Sequence, residues 1–233
     1  MTNQHFLILL CVACLACDSS TDSIDPQQEE DPNWIQLEVP GGRQAYAIAG
    51  DINKRLLVTT WTKAYFSDDR GLTWEESYNF HGPVHGLLER NDTVFSLITS
   101  NGSIASLCQL YTTDYGKTWE RDKNGSFKNL SMPLKTVGPH EGVTYEVIEN
   151  VTPLHEGSSA FYVNPSDVRK DSEGHTSNIP LPDRKLRVIN LYKDKDNYLY
   201  LAASSGVFDE NNYHVCCEPG SPALIYRSKQ PFP

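Results

Sequence analysis

The sequence predicts an all-β fold made of about four small antiparallel sheets. Three observations support this: the composition, a repeated eight-residue pattern, and short β-rich runs that each follow a polar turn. The chain has 233 residues, with 12 Tyr and only 2 Met. It has few of the Leu- and Ala-rich stretches that a helical bundle needs, and its aromatic content favours strands.

The charge balance is acidic. Lys and Arg number 20 and Asp and Glu number 30, which gives a formal net charge of −10. Six of the acids and none of the bases lie in residues 1–31, so the remaining body is only mildly acidic. A broad basic field for nucleic acid is therefore excluded, and no nucleic-acid partner is predicted.

The N-terminus reads as an export signal. Residues 6–16 are continuously apolar, and this run is too short to span a bilayer, which takes about 20 residues. A signal peptide over 1–16 would expose Cys17, followed by an acidic flexible tether over 17–32. The placement of Cys17 resembles a bacterial lipobox, which implies a lipid on Cys17 and a cell-envelope location. Cleavage before Cys14, or plain secretion after cleavage behind Ala16, are the alternatives.

Three cysteines remain in the body: Cys108, Cys216 and Cys217. The odd count allows a bridge from Cys108 to one of the pair, a vicinal bridge, or unpaired thiols. His214 lies close to the pair, but no second cluster of His or Cys supports a metal site. We therefore predict no metal and no cofactor.

Residues 67–74 and 112–119 align at an offset of 45. Both segments contain a hydroxyl residue, Asp, Gly, Thr and Trp in the same order, at Ser67, Asp69, Gly71, Thr73 and Trp74 and at Thr112, Asp114, Gly116, Thr118 and Trp119. Asp and hydroxyl side chains bond the backbone of tight turns, and Gly supplies a positive φ. Each segment thus predicts a hairpin turn whose Trp packs between sheets.

This pattern resembles the Asp-box, or BNR repeat, of sialidases, sortilin-type receptors and photosystem II assembly factors. The resemblance implies a β-propeller with the boxes on peripheral hairpins. It also implies that Asp69 and Asp114 are structural and not catalytic.

Pairs of strands around the boxes predict the blades. Candidate inner strands lie at residues 45–49, 84–88, 143–148 and 188–191, and candidate second strands at 56–60, 94–98, 160–163 and 198–201. The domain over 33–233 is thus an all-β propeller of about four antiparallel blades. Residues 34–39 either complete the last blade beside 223–228, or the chain is part of a larger propeller that is cut short.

Propellers bind ligands where their inner strands begin. The predicted phases bring a cationic, imidazole-rich rim to that face, formed by Arg43, His81, His85, His140, Glu141 and Arg187, with Gln44, Arg184 and Lys185 beside them. Such a rim focuses an anionic glycan or an acidic peptide, and its imidazoles predict tighter binding as the pH falls through about 6.5. Solvated loop residues without a ligand are the other interpretation.

The predicted function is a binding or scaffolding module for a glycan or an extracellular or periplasmic protein. A sialidase-like glycoside hydrolase is the alternative. Sialidases share an Arg-Ile-Pro segment and a Tyr–Glu nucleophile pair, but here Arg43 precedes Gln44 and Ala45. Tyr145 and Glu146 are adjacent, so they would point to opposite faces of a strand. These departures favour binding over catalysis.

Overall fold

A computed structural model describes residues 31–232. Within this range all regular structure is β, with no helix, and the strands form four main antiparallel sheets and two small hairpins. The predicted all-β propeller of four blades is therefore confirmed. The predictions for the signal peptide, for Cys17 and for all but the last two residues of the tether lie outside the described residues.

The strands follow the chain from blade to blade, with each blade built from the centre outward. The first strand, β1 (Trp34–Gly42), belongs to the last blade. Blade 1 contains β2 (Ala47–Asp51), β3 (Arg55–Thr59), β4 (Lys63–Ser67) and β5 (Glu75–Asn79). Blade 2 contains β6 (Gly86–Arg90), β7 (Thr93–Ser100) and β8 (Ile104–Thr112), and its outer strand is divided into β9 (Glu120–Arg121) and β10 (Ser131–Pro133).

Blades 3 and 4 each carry an inserted hairpin. Blade 3 contains β11 (Thr136–His140) and β12 (Val143–Ile148), then the hairpin of β13 (Val151–Pro153) and β14 (Phe161–Val163), then β15 (Asp167–Ser172) and β16 (His175–Asn178). Blade 4 contains β17 (Val188–Lys193) and β18 (Leu199–Ala203), then the hairpin of β19 (Val207–Phe208) and β20 (His214–Val215), then β21 (Pro222–Ser228). The inner strand β2 contacts β6 and β17, and β17 also contacts β11.

The predicted phase of blade 3, meaning which of its strands is innermost, is wrong. Residues 143–148 form its second strand, β12, and the inner strand is β11. A Gly138–Pro139 pair inside β11 hid this strand from sequence reasoning, because both residues are poor formers of sheet interiors. Residues 160–163, expected as the second strand, lie in the inserted hairpin that β13 forms with β14.

Strand β1 completes blade 4. It pairs antiparallel with β21, from Trp34 opposite Ser228 to Val39 opposite Ala223. Leu37 and Val39 are buried and Glu38 between them is exposed, so the strand shows the alternation of an outer strand with one covered face. Of the two alternatives for residues 34–39, pairing with the last strand is the observed one.

Apolar clusters join neighbouring blades. Ile48 and Tyr200 share a cluster between blades 1 and 4, and Tyr145 and Leu201 share one between blades 3 and 4. A third cluster joins blades 1 and 2. The fourth consists of blade 2 and the segment over 122–134 that lies against it.

The two repeated segments form the same hydrogen-bonded turn. In the second one, the Asp114 carboxylate accepts hydrogen bonds from the Thr112 hydroxyl at 2.7 Å and from the backbone N–H and hydroxyl of Thr118 at 2.9 and 2.7 Å. Asp69 does the same with Ser67 and Thr73. Both turns connect the third strand of a blade to its outer strand, at β4–β5 and β8–β9.

Each turn also contacts the neighbouring blade. Trp74 packs against the cluster between blades 1 and 4, and Trp119 packs between blades 1 and 2, where its Nε1–H donates to the Ser77 hydroxyl at 2.8 Å. Gly116 has a φ of +92°, and a Cβ there would lie 2.6 Å from Leu57. Glycine is therefore required both for the turn and for the close approach of the two blades.

We expect Asp114→Ala to lower the free energy of unfolding by about 1–2 kcal/mol, because three hydrogen bonds in a partly exposed turn are lost. Burial by itself would raise the pKa of Asp114, but hydrogen bonds from Thr118 and Thr112 outweigh it and hold the pKa below its usual value. This stabilisation is present above the unfolded-state pKa of about 3.9 and is lost as the pH falls through the lower folded-state pKa. Urea unfolding at pH 7 and below pH 4 measures both effects.

The matched control for Asp114→Ala is Thr113→Ala, in the same turn, where the side chain is exposed. This variant should unfold within about 0.5 kcal/mol of the wild type. Equal stability of the Asp114→Ala variant and the wild type at pH 7 would contradict the structural role of the carboxylate.

Candidate functional site

A cavity of about 260 Å³ lies where the inner strands begin, which we call the top face. Each inner strand or the residue just before it contributes to the wall, since β2, β6, β11 and β17 all start there. The lining residues are Gln44, Tyr46, His85, Ser100, Gly102, Leu134, Lys135, Glu149, Arg187, Ile189 and Asn190. All four blades therefore contribute to one polar cavity.

Asn190 links three blades at this cavity through hydrogen bonds. Its Oδ1 accepts the backbone N–H of Lys135 at 2.6 Å, and its Nδ2 donates to the backbone carbonyl of Tyr46 at 3.0 Å. The pairing of β17 with β18 shifts register between Val188 and Asn190, and a bulge of this kind re-aims a side chain. Asn190 is buried, and its side-chain amide is hydrogen-bonded, as buried polar groups usually are.

Arg187 is the cation of the cavity that lacks a carboxylate partner. Among residues 31–232 its guanidinium forms no ion pair, and its Nε is buried without a hydrogen-bond partner. The guanidinium contacts His214, with 3.4 Å between Arg187 Nη1 and His214 Nδ1. A half-buried guanidinium with unused donors fits a bidentate carboxylate, because the planar fork matches that geometry.

The remaining charges of the lining cancel. Lys135 Nζ and a Glu149 carboxylate oxygen lie 2.6 Å apart in an ion pair. Glu149 is the one carboxylate among the lining residues, so the cavity carries one net positive charge from Arg187 when its histidine is neutral. Paired carboxylates, on which most glycosidases depend, do not occur in this lining.

The two histidines near the cavity have pKa values below the ordinary value for histidine. Burial lowers the pKa of His85, whose ring also packs edge-on against Trp61 at 6.0 Å between centroids. Burial and the positive charge of Arg187 lower the pKa of His214 to about 4. A neutral His214 can accept from Arg187 at Nδ1 while Nε2 contacts the Ser204 hydroxyl at 3.2 Å. The expected transition near pH 6.5 therefore moves to lower pH.

We expect the affinity of this cavity for an acidic ligand to stay constant from pH 8 to about 6.5 and to rise only below that, because His85 gains its proton at a pKa lowered from its ordinary value of about 6.5. Protonation adds positive charge beside an anion, so the sign is tighter binding at lower pH. Titration of affinity against pH, with His85→Gln as the comparison, measures this. A rise centred above pH 6.5 that His85→Gln removes would contradict the expectation.

The structure brings some of the predicted rim residues together and separates others. His85, Arg187 and Gln44 line the cavity. Arg43 and His81 lie at the top face with exposed side chains, outside the lining.

The expected convergence is wrong for His140 and Glu141. They lie at the turn between β11 and β12, at the opposite end of the inner strand from Lys135. The misplaced phase of blade 3 caused this error. Arg184 and Lys185, also expected at the rim, are exposed and do not line the cavity.

Sequence reasoning missed several residues of the site. Lys135 and Glu149 flank strands of blade 3, and the wrong phase of that blade hid them. Tyr46 directly precedes β2, so its position at the start of a predicted inner strand could have identified it as a site residue. Trp61, with 49% of its surface exposed, lies beside Tyr46 and His85 and is the aromatic residue at the edge of the cavity.

The two inserted hairpins carry exposed apolar side chains on the same face. They contact each other, with the Tyr162 and Tyr213 rings stacked at 4.1 Å and the Asn164 amide donating to the Asn212 carbonyl at 3.1 Å. The exposed apolar residues of these hairpins are Val151, Leu154, Phe161, Tyr162, Val207 and Val215. A group of this kind beside a polar cavity is typical of an interaction surface.

Residues 31–232 contain neither a metal-binding cluster nor a membrane-spanning helix. No three or more His, Cys, Asp or Glu side chains in this part of the chain are arranged to hold a metal ion. No helix in the same range has the length and apolar character to cross a membrane.

Comparison with known proteins gives a structural likeness but no match in sequence. No protein-family model matches the chain, and no curated protein matches it. A solved structure described as "YCF48 bound to D1 peptide" is similar at 14% sequence identity and a TM-score of 0.30, over 77% of this chain and 69% of that one. A TM-score of 0.30 is too low to transfer fold or function to this chain. The propeller itself is consistent with a binding or scaffolding module.

Proposed function

We propose that this protein is an exported, lipid-anchored propeller that binds an acidic segment of a protein ligand at its top face. The observation that carries the proposal is Arg187, a half-buried guanidinium in a 260 Å³ polar cavity with unused donors and no carboxylate partner among the described residues. A carboxylate of the ligand would supply that partner. Charge-assisted pairing of this kind is among the stronger hydrogen bonds in proteins.

A polypeptide fits the surroundings of the cavity. The inserted hairpins place exposed apolar side chains, Phe161 and Tyr162 among them, on the same face. Protein interfaces combine aromatic anchors and Arg with a polar rim, and these residue types carry most of the binding energy. The cavity would take the acidic side chain while the hairpins contact the apolar flank of the same segment.

An anionic glycan is the second candidate, and Trp61 is the observation that favours it. Its ring is half exposed and lies next to Tyr46 and His85 at the edge of the cavity. An amphipathic aromatic ring presents an apolar face that suits the C–H side of a sugar, while Arg187 would hold a uronate or sialate carboxylate.

Parallel arrays test the two candidates. The purified protein is applied to a library of peptides in which each Asp or Glu is matched by its Asn or Gln counterpart, and to a glycan array with acidic and neutral sugars. We expect binding to peptides with an acidic residue next to apolar ones, and loss of that binding in the amide counterparts. Binding confined to acidic glycans selects the second candidate. Binding that is unchanged when the acidic group is replaced by a neutral one contradicts both candidates.

The glycoside hydrolase alternative gains no support from the cavity, whose single carboxylate is ion-paired with Lys135. Tyr145 is buried in the cluster between blades 3 and 4, and Glu146 pairs with Arg169. Turnover of a fluorogenic sialoside tests this activity directly.

Membership of the Asp-box propellers is part of the same proposal. It is supported by two turns, 45 residues apart, in which Asp69 and Asp114 accept equivalent hydrogen bonds from the hydroxyl and Thr residues of their own segments.

Anchoring through Cys17 is supported by the apolar run before it and the acidic stretch after it.

We expect Cys17→Ser to leave the protein unprocessed or to release it from the membrane fraction of a bacterial host, because the lipid acceptor is lost. Labelling with a radioactive fatty acid and fractionation of the cells measure this. Cys14→Ser is the matched control and should be lipidated like the wild type. A Cys17→Ser protein of processed size in the membrane fraction would show that lipidation is elsewhere or absent.

A further inference from the structure

Cys216 and Cys217 lie on the top face, after the β19–β20 hairpin, and both are free thiols. The Cys216 side chain is exposed, whereas Cys217 is buried. Their Sγ atoms are 3.7 Å apart. One thiol is thus open to solvent, and the second lies directly behind it.

Polar groups surround the buried thiol. Cys217 Sγ is 3.4 Å from the Ser204 hydroxyl and 3.7 Å from the backbone carbonyl of Arg43. Burial by itself would raise the pKa of the Cys217 thiol, but hydrogen bonds from Ser204, Ser205 and Cys216 bring the pKa below its usual value. The thiolate is the form that attacks disulfides, so these contacts favour exchange.

The third thiol of the domain provides an internal contrast. Cys108 is buried in the apolar cluster of blade 2, with its Sγ 3.4 Å from the carbonyl oxygen of Leu110. Burial, and to a smaller extent the negative charge of Asp122, raise the pKa of Cys108 to about 11. A buried thiol that stays protonated is inert to exchange.

We propose that Cys216 and Cys217 form a redox-active dithiol that exchanges with low-molecular-weight disulfides such as oxidised glutathione and alternates between two thiols and a vicinal disulfide. This inference is independent of the function proposed for the cavity. It assigns a second reactive site, with a disulfide as its substrate class.

The exchange proceeds in two balanced steps. The exposed Cys216 thiolate attacks one sulfur of the small disulfide; that S–S bond breaks, and the first thiolate leaves with the proton that Cys216 gave up. The Cys217 thiolate then attacks the Cys216 sulfur of the mixed disulfide, and the second small thiol leaves with the proton of Cys217. The protein loses two electrons and two protons, and one small disulfide becomes two thiols.

Chain geometry makes this disulfide labile. The Cα atoms of adjacent residues are about 3.8 Å apart, whereas bridged cysteines usually have Cα atoms about 4.4–6.8 Å apart. Strain of this kind raises the reduction potential of the disulfide. A high reduction potential is typical of regulatory and catalytic disulfides, whereas permanent structural disulfides have low ones. We therefore expect reversible oxidation within the range of glutathione buffers.

The test uses the full chain equilibrated in glutathione buffers from fully reduced to fully oxidised, quenched in acid, alkylated and digested with trypsin. Cleavage after Lys195 and Arg227 releases a peptide over 196–227 that contains Cys216 and Cys217 and no other cysteine. We expect a reversible conversion of this peptide from the doubly alkylated form to an unalkylated disulfide form, which is lighter by two hydrogen atoms than the reduced peptide before alkylation. Cys108 should stay reduced throughout.

Two single variants test the order of the steps. Cys217→Ser should accumulate a stable mixed disulfide with glutathione on Cys216. Cys216→Ser should accumulate about 10-fold less on Cys217, because that thiol is buried. Circular dichroism confirms that each variant is folded. A wild-type peptide that stays doubly alkylated in fully oxidised glutathione, or that is found only in disulfides between two chains, overturns the proposal.

Discussion

Replacing Val39 by Asp is expected to unfold the propeller domain. Val39 is fully buried on β1, in the cluster between blades 1 and 4. A carboxylate at this position has neither water nor a cation to stabilise it, so the free energy of unfolding falls by about 5 kcal/mol, which is the whole stability of many domains. Loss of the near-ultraviolet circular dichroism signal and of a cooperative thermal transition measures the effect.

Glu38→Ala is the matched control for Val39→Asp. The Glu38 side chain is exposed on the same strand, so the variant should unfold within about 0.5 kcal/mol of the wild type. If Val39→Asp melts like the wild type, then β1 does not hold blade 4 together, and the pairing of Leu37 with Ile225 on β21 contributes little to stability.

Replacing Arg187 by Met is expected to weaken the binding of an acidic ligand about 100-fold, which corresponds to about 2.7 kcal/mol. Methionine keeps much of the apolar stem and removes the guanidinium. The domain should remain folded, because Arg187 forms no ion pair among the described residues and its Nε has no partner to lose. Calorimetric titration with the best acidic peptide from the array, alongside thermal melting, separates the two effects.

Arg184→Met and Arg43→Met are the controls for Arg187→Met. Arg184 and Arg43 are exposed arginines on loops of the top face, and neither lines the cavity. Each should change the affinity less than about 3-fold, and chiefly at low salt, where distant charges still act. Equal losses in all three variants would mean that the general charge of the face binds the ligand and that the cavity does not.

The sequence by itself determined the parts of the molecule that are encoded locally. Eight residues suffice for each repeated turn, because Asp114 bonds Thr112 and Thr118, which are at most four positions away. The strand at residues 34–39 was likewise predicted from its own residues, whereas its pairing with β21 was one of two alternatives. Three of the four inner strands, and with them the placement of His85 and Arg187, followed from such local patterns.

The tertiary structure alone decided what the cavity contains. Gly138 and Pro139 obscured the inner strand of blade 3, so Lys135 and Glu149 could not be assigned to the site, and His140 was placed at the wrong end. Asn190 donates a hydrogen bond to Tyr46, which is 144 positions away in the chain. The bulge that directs its side chain there has no signature in the local sequence. Burial also moved the pKa of His85 and His214 below the range that their residue type predicts. Contacts between distant segments and the exclusion of water are properties of the assembled blades, which is why they could be seen only there.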